Sequence, residues 1–472
     1  AALGLDELFA SVKFASKIKY DLVGIVRLLV YGRLLEPASK LATVGQNELW
    51  HSPMVGDVYD GCVYDALDVI SENSAKIVRR MDTCIRRGAG RNAKTVFYDV
   101  TNFFFETEEE SGMRRYGKSK EHRPLPLVQM GLFLDADGIP LAFTVFPGNE
   151  SEQPSLIPIE KRILKDFELS RFIVCTDAGL ASAANRRFND RGGRSFVVTQ
   201  SLKMLKAHLK EWALDPKGWS LGHDERQYDL SQIDEETYKD AIFHKERWIN
   251  ENGLQQRMIV SFSPRYKAYQ RQVRQKQIER ASAIISRPAS ALHNPNSPTR
   301  FIEEIQMTID GELAEKTHWA LDLEKIRDEE RYDGLAAVCT TLEDDVQTIL
   351  RINKQRWEIE ESFRIMKSEF KARPVYHQKD DRIRAHFLTC FLALLVYRTL
   401  ERELDERYTL SEITSTLRKM NLVKLDGLGY MPCYTRTEVT DALHERFGMR
   451  TDREIVLEKK MKKILKDSKK PS

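Results

Sequence analysis

The chain has 472 residues, of which 42% are hydrophobic and 31% charged, and 74 Lys and Arg against 71 Asp and Glu leave a formal net charge of only +3. That length accommodates two to four domains, or one large core with insertions. The near-balance of charge excludes a globally basic protein, so any nucleic-acid surface has to be built from local patches. The longest apolar run, Phe387 to Val396, falls well short of the ~18 residues of a spanning helix and reads as a buried core helix. The start, Ala1-Ala2-Leu3, lacks a Met and shows no leader pattern, so further residues are expected to precede it. Cysteines at 62, 84, 175, 339, 390 and 433 form no Cys-x-x-Cys pair and have no His at zinc-finger spacing. They signal neither a disulfide framework nor a structural zinc, and Cys175 and Cys390 read as small core residues of a reducing, cytoplasmic compartment.

Residues 1 to 90 read as a helical region that could bind DNA, with one apolar face formed by Leu22, Val23, Ile25, Val26, Leu29 and Val30 and another by Leu67, Ile70 and Ile77. The pattern then turns to strands. Val96 to Val100, Val128 to Leu134 and Leu141 to Phe146, the last two separated by Asp137-Gly138, predict three consecutive antiparallel strands. A helix over Ile157 to Phe167, a strand over Phe172 to Thr176, a helix near Ala181 to Asn189 and a strand over Ser195 to Thr199 complete a β-β-β-α-β-α-β order for residues 91–200. Residues 201–335 are less regular and are expected to form an inserted subdomain. Its clearest element is a basic helix beginning after Pro264 and carrying Lys267, Arg271, Arg274, Lys276 and Arg280; Ser286 to Ser290 and Asn294 to Thr299 read as loop. From 343 to the end the periodicity is helical, over a second part of the core (336–400) and a C-terminal region (401–472). Thr409-x-x-Glu412 and Thr451-x-x-Glu454 resemble capping boxes, Gly448 marks a helix end, and Lys459 to Lys470 form a lysine-rich tail.

Three acids stand out. Asp99 interrupts an apolar strand, where a carboxylate is costly unless the strand opens onto a site. Asp177 follows a strand and precedes Ala178-Gly179, at the carboxyl edge where α/β sheets place ligands, although an Asp there also serves as a turn or helix cap. The third lies in the helical run Asn353 to Phe370. At about 100° per residue Glu360 shares a face with Arg356 and Lys367, about 40° and 20° away, whereas Glu361 is turned about 100° from it. Singly, each acid is as readily a structural group; jointly, carboxylates on a first strand, a fourth strand and a late helix suit two Mg²⁺ ions roughly 4 Å apart, the arrangement that activates and stabilises oxygens in phosphodiester chemistry.

Arg356, Glu360 and Lys367 resemble the Tyr-x2-Arg-x3-Glu-x6-Lys signature of the DDE transposases of bacterial insertion sequences, in the group typified by insertion sequence four, with Asn353 at the Tyr position. The resemblance extends to Tyr98-Asp99-Val100-Thr101, Pro147 to Glu152, Thr176 to Leu180 with Asn185, Tyr332-Asp333-Gly334 and Arg373 to His377. It implies an RNase H-like mixed five-stranded sheet flanked by helices, with an insertion before the last catalytic helix. It also implies Asp99, Asp177 and Glu360 as catalytic and metal-binding residues, two Mg²⁺ ions for which Mn²⁺ substitutes, and a nucleoid-associated enzyme. Its partners would be transposon terminal inverted repeats and target DNA, bound as a homodimer, with cleavage through a hairpin and strand transfer following. Arg356 and Lys367 would contact phosphates, Lys267, Arg271 and Arg274 would extend the DNA surface, and one of Trp212, Trp219, Trp248 and Trp319 would stack a displaced base. A nuclease without strand transfer and a catalytically silent DNA-binding descendant are the competing expectations.

Overall fold

In a computed structural model of the chain, the residues described are 3–16, 18–49, 60–88, 90–167, 172–222, 224, 226–251, 253–286, 297–307, 313–452 and 454–468. The chain divides into two compact units, one formed by Ala1–Arg194 with Lys354–Ser472 and the other by Ser195–Asn353.

The first unit begins with helices α1 (Leu5–Ala15), α2 (Leu22–Leu35), α3 (Lys40–Gly45), α4 (Asp60–Glu72) and α5 (Ser74–Arg87). Strands β1 (Thr95–Phe104), β2 (Leu127–Asp135) and β3 (Pro140–Pro147) follow, then α6 (Leu156–Asp166), β4 (Ile173–Thr176) and α7 (Ala183–Asn189). These four strands lie in the order β3-β2-β1-β4, with β1 antiparallel to β2 and parallel to β4. Side chains alternate across a strand. Val96, Tyr98 and Val100 therefore point to a core shared with Leu156, Ile159 and Ile163 of α6, while Phe97, Asp99, Thr101 and Phe103 point to the other face, where Phe103 meets Phe387 edge-on.

Phe387 belongs to α13 (Asp380–Glu403), whose apolar run through Leu395 is buried, as the sequence suggests. This helix packs against α2, α4 and β3. The rest of the first unit comprises α12 (Trp357–Arg364), α14 (Leu410–Lys419), the hairpin β12 (Leu422–Leu425) and β13 (Gly429–Pro432), α15 (Glu438–Arg446) and α16 (Glu458–Asp467). The hairpin interrupts what reads in sequence as uninterrupted helix. Thr409 and Glu412 form the expected capping box. Thr451 caps no helix; its hydroxyl meets Tyr434 and His444 instead, and a capping box forms at Thr437 and Thr440. Lys459 to Lys466 fall on α16, and Lys469 and Lys470 lie outside the described residues.

The second unit holds the antiparallel strands β5 (Ser195–Thr199), β6 (Ser220–Leu221), β7 (Phe243–Glu251), β8 (Leu254–Phe262) and β11 (Leu335–Thr340) in the order β5-β11-β8-β7-β6. A separate pair joins β9 (Ile302–Met307) to β10 (Leu313–Leu321), and the helices are α8 (Ala207–Leu214), α9 (Pro264–Ile285), α10 (Leu323–Glu330) and α11 (Val346–Gln355). Helix α9 starts where Pro264 and the Ser263 cap place it, and residues 287–296, read in sequence as loop, lie outside the described residues.

Candidate active site

Asp99 occupies the one position of β1 that is not fully buried. Its Oδ1 accepts the Val100 N–H at 2.7 Å. Burial first, and then the charge of Asp177, push the Asp99 carboxyl up to about 6, against the opposing pull of Lys120 and Arg356. Asp177 stands immediately past β4. Because Phe97 pairs with Cys175 across the parallel β1/β4 ladder, the two aspartates lie two residues further along each strand, at the same level of neighbouring strands. Asp177 is also a cap, its Oδ1 accepting the Leu180 N–H at 3.1 Å, so the structural and ligand readings coexist in one side chain.

The loop around Asp177 is fixed from behind. Asn185 Nδ2 donates to Leu180 O at 2.9 Å and to Gln153 O at 3.1 Å, tying the β4 exit to the segment bearing Glu152. Glu152 in turn lies 3.3 Å from the Lys120 ammonium, which also donates to the Val100 carbonyl. Lys120 thus connects the Glu152 loop to β1 beside Asp99. Its segment, Lys118 to Arg123, does not stand out in the sequence, where it carries no periodic or motif signal.

Helix α12 packs on β1 and β2. The expected continuous helix from Asn353 to Phe370 is in fact three segments: α11 ends at Gln355, α12 starts after Arg356, and Ile365–Glu369 form a π-helical turn. The wider turn breaks the 100° step on which the angular match between Glu360 and Lys367 rests. Glu360 and Arg356 still pair, at 3.2 Å, with the Glu360 side chain 60% exposed. The charge of Arg356 also acts on Asp99, which joins Glu360's partner to the aspartate pair. Glu361 is engaged elsewhere, held by Arg364 at 2.6 Å. Lys367 reaches β1 by donating to Thr101 Oγ1 at 2.7 Å, and lies 3.7 Å from Glu121, which also pairs with Arg373. Burial and the nearby Lys120 lower the Lys367 ammonium to about 8, with Asp99 opposing.

Asp99, Asp177, Arg356, Glu360 and Lys367 are therefore linked by register, hydrogen bonds and charge within the first unit. The other expected DNA contacts, Lys267, Arg271 and Arg274, lie on α9 in the second unit. Arg274 departs from that expectation: it is buried and grips Asp333, with Nη1 2.7 Å from Oδ1, while Nη2 bonds the other oxygen and approaches Glu330 to 3.7 Å. Its guanidinium pins the turn before β11 to α9. Lys267 pairs with Glu235 at 2.5 Å, and Arg271, more than half exposed, lies 3.8 Å from Asp333. Of the four Trp candidates, Trp219 is buried against Phe262 and has no face to offer, Trp212 is flanked by Lys245 and Arg247, and Trp248 and Trp319 are exposed.

Asp99, Asp177 and Glu360 offer only carboxylate oxygens, which suit a hard divalent cation, and the repulsion between the two aspartates is the kind that such a cation would relieve. The tighter cluster of potential ligands among the described residues is Asp441, His444 and Asp452. There, however, Arg436 lies 2.6 Å from Asp441, and Arg450 lies 3.3 Å from both aspartates. Two guanidinium groups already balance the two carboxylates.

Residues 93–396, more than half of the chain, match the transposase DDE domain family, and this span contains Asp99, Asp177, Arg356, Glu360 and Lys367. No curated protein matches the chain. Among solved structures, a piggyBac transposase synaptic complex with hairpin DNA is similar with a TM-score of 0.41 and 8% identity, over 89% of this chain and 78% of that one. A Mos1 transposase paired-end complex with the left transposon end matches with a TM-score of 0.16 and 15% identity, over 32% of this chain and 48% of that one. The match over residues 93–396 places the chain in the transposase DDE domain family.

Proposed function

We propose that this transposase cuts DNA at transposon ends and transfers the freed strand to target DNA, with Asp99, Asp177 and Glu360 as the metal-binding catalytic carboxylates. The observation that carries the reading is the aspartate pair at one level of β1 and β4, beside Arg356 and its partner Glu360. The β3-β2-β1-β4 order, mixed in direction, supports an RNase H-like core within the first unit, with the second unit as the insertion before α12. The three carboxylates would hold two Mg²⁺ ions, or Mn²⁺ in their place, which supply an activated oxygen nucleophile and stabilise the departing one.

The chain's own side chains do the remaining work. Arg356 and Lys367 hold the scissile phosphate by charge-assisted hydrogen bonds, while Thr101 fixes the Lys367 ammonium and Asn185 fixes the loop that carries Asp177. Lys120 balances Asp99 and Glu152 until cations and DNA arrive. Of Lys267, Arg271 and Arg274, Arg271 has the most exposed side chain and is the one free to add a phosphate contact, and Trp248 and Trp319 are the candidates for stacking a displaced base. Terminal inverted repeats and target DNA are the substrates, a homodimer bridges two ends, a hairpin is the intermediate, and the nucleoid of the cytoplasm is the working location.

The test is an end-labelled duplex of the element's terminal repeat incubated with Mg²⁺ and a plasmid target. Wild-type protein nicks the duplex and joins labelled ends to the plasmid. Asp99→Asn, Asp177→Asn and Glu360→Gln lose about a thousandfold or more of both activities while still retarding the duplex. Nicking without joined product would instead identify a nuclease, and full activity of Glu360→Gln would sink the triad.

A further inference from the structure

Between α2, α3 and α13 lies a group of basic side chains that the proposed chemistry does not use. Arg33 and Lys40 are 6% and 5% exposed, and His386 is 5% exposed. The His377 ring lies beside that of His386, with centroids 5.5 Å apart and planes tilted by 52°, and the Cys390 thiol lies 3.9 Å from His386 Nε2. The charges that act on Lys40 are those of Arg33 and Cys390; those on His377 are Lys40, Arg33 and Arg382; those on His386 are Arg33, Lys40 and His377. No carboxylate is among them. Burial first, and then Arg33, lower Lys40 to about 7 against the opposing pull of Cys390, and burial with Lys40, Arg33 and Arg382 lowers His377 to about 3.

The hydrogen-bonding capacity of the group is also unspent. Arg33 Nη1 donates to Phe370 O at 2.9 Å, but its buried Nε–H has no partner among the described residues. The Lys40 ammonium likewise makes no hydrogen bond or ion pair among the described residues. His386 Nε2 lies 3.0 Å from Ala372 O; a carbonyl only accepts, so Nε2 carries the proton and Nδ1 carries a lone pair. That Nδ1 is buried and unpartnered. The group therefore presents a guanidinium donor, an ammonium and one acceptor, with no counter-charge among the described residues to offset the burial of its cations.

We propose that Arg33, Lys40, His377 and His386 form a pocket for a phosphate-class oxyanion that keeps a protonated oxygen at neutral pH, as inorganic phosphate does. Its anionic oxygens take the Arg33 and Lys40 donors, and its P–OH donates to His386 Nδ1. Sulfate and a DNA phosphodiester carry the charge but lack that hydroxyl at neutral pH. The pocket adjoins the carbonyls of Phe370 and Lys371, which Arg33 holds at the end of the π turn, so its occupancy reaches the segment that follows Lys367.

Thermal melts of the full chain in inorganic phosphate, sulfate or chloride at equal ionic strength, with equilibrium dialysis of labelled phosphate, test the assignment. Phosphate is expected to bind once per chain and, at a hundredfold excess over Kd, to raise Tm by roughly 3 °C, with a smaller rise in sulfate. Lys40→Met should lose the phosphate-specific rise and, in chloride, melt no lower than wild type, because it removes a buried cation. Lys40→Arg should retain phosphate binding. Should Lys40→Met fail to fold, His377→Asn at its half-buried position carries the same expected loss in dialysis. Equal melting of wild type in phosphate and chloride, or an undiminished rise in Lys40→Met, overturns the pocket. Displacement of labelled phosphate by duplex DNA overturns the protonated-oxygen assignment in favour of a phosphodiester; retention supports it.

Discussion

Asp99 with Asp177, and Asp441 with His444 and Asp452, are both groupings of metal-ligand side chains, and they differ in what surrounds them. At the first, burial and mutual repulsion raise the Asp99 carboxyl. At the second, hydrogen bonding from Arg436 lowers the Asp441 carboxyl, with Arg450 adding to it. The second cluster is geometrically tighter, yet it is the first whose charge is left over. Ligand-like geometry alone thus picks out a finished salt-bridge network as readily as a site, and the imbalance of charge separates the two.

The largest expected effect breaks this comparison directly. In Mn²⁺ titrations followed by thermal melting, wild type should gain several degrees, Asp177→Asn should gain nothing, and Asp452→Asn should keep the gain. Asp452→Asn should itself cost about 2–4 kcal/mol by urea denaturation, because it strips a carboxylate whose side chain is 1% exposed from Arg450 and Arg436. A metal response lost in Asp452→Asn and kept in Asp177→Asn would reverse the two assignments.

A smaller effect sharpens the distinction between a buried acid and a functional one. Glu160 on α6 is fully buried, with Oε1 held by Asn189 at 3.0 Å and Oε2 unpartnered. Burial pushes its carboxyl up to about 8 from an ordinary 4.5. The folded state then binds the proton more tightly than the unfolded chain, so this stabilisation is whole below about pH 4.5 and is lost as pH rises through 8. Glu160→Gln should flatten the pH profile and be about 2–4 kcal/mol more stable than wild type at pH 9, with transposition unaffected. An unchanged profile between pH 5 and 9 would refute the buried-acid account. The smallest effect concerns Glu361. Its pair with Arg364 is partly exposed, so Glu361→Ala should cost at most ~0.5 kcal/mol and leave strand transfer within about threefold of wild type. A loss comparable to that of Glu360→Gln would exchange the two acids.

The strands around Asp99 are legible because alternation and the Asp137-Gly138 turn are local signals, and α9 because Ser263 and Pro264 punctuate its start. The break at Arg356 and the π turn at Ile365–Glu369 are not, since Asn353 to Phe370 favours helix at every step and packing on β1 decides where it yields. The β7/β8 hairpin is hidden by Glu246 and Arg247, which with Trp248 form the exposed stretch of β7. At the site, Asp99 is visible as a charge in an apolar strand, whereas Lys120 is placed by contacts with Val100 and Glu152 that a linear reading does not contain. Arg274 shows the reverse: its basic helix reads as a surface, and only the fold reveals Asp333 beneath it.

The first unit is assembled from two stretches of chain, with Ser195–Asn353 between them. During synthesis, Asp99 and Asp177 emerge from the ribosome well before Glu360, and the whole second unit must be translated in the interval. The proposed triad therefore has no complete form in a nascent or prematurely ended chain. A message cut within the second unit would yield a protein carrying two of the proposed acids and neither Arg356 nor Lys367. The order of the elements along the chain thus withholds the proposed triad until the second unit has been translated.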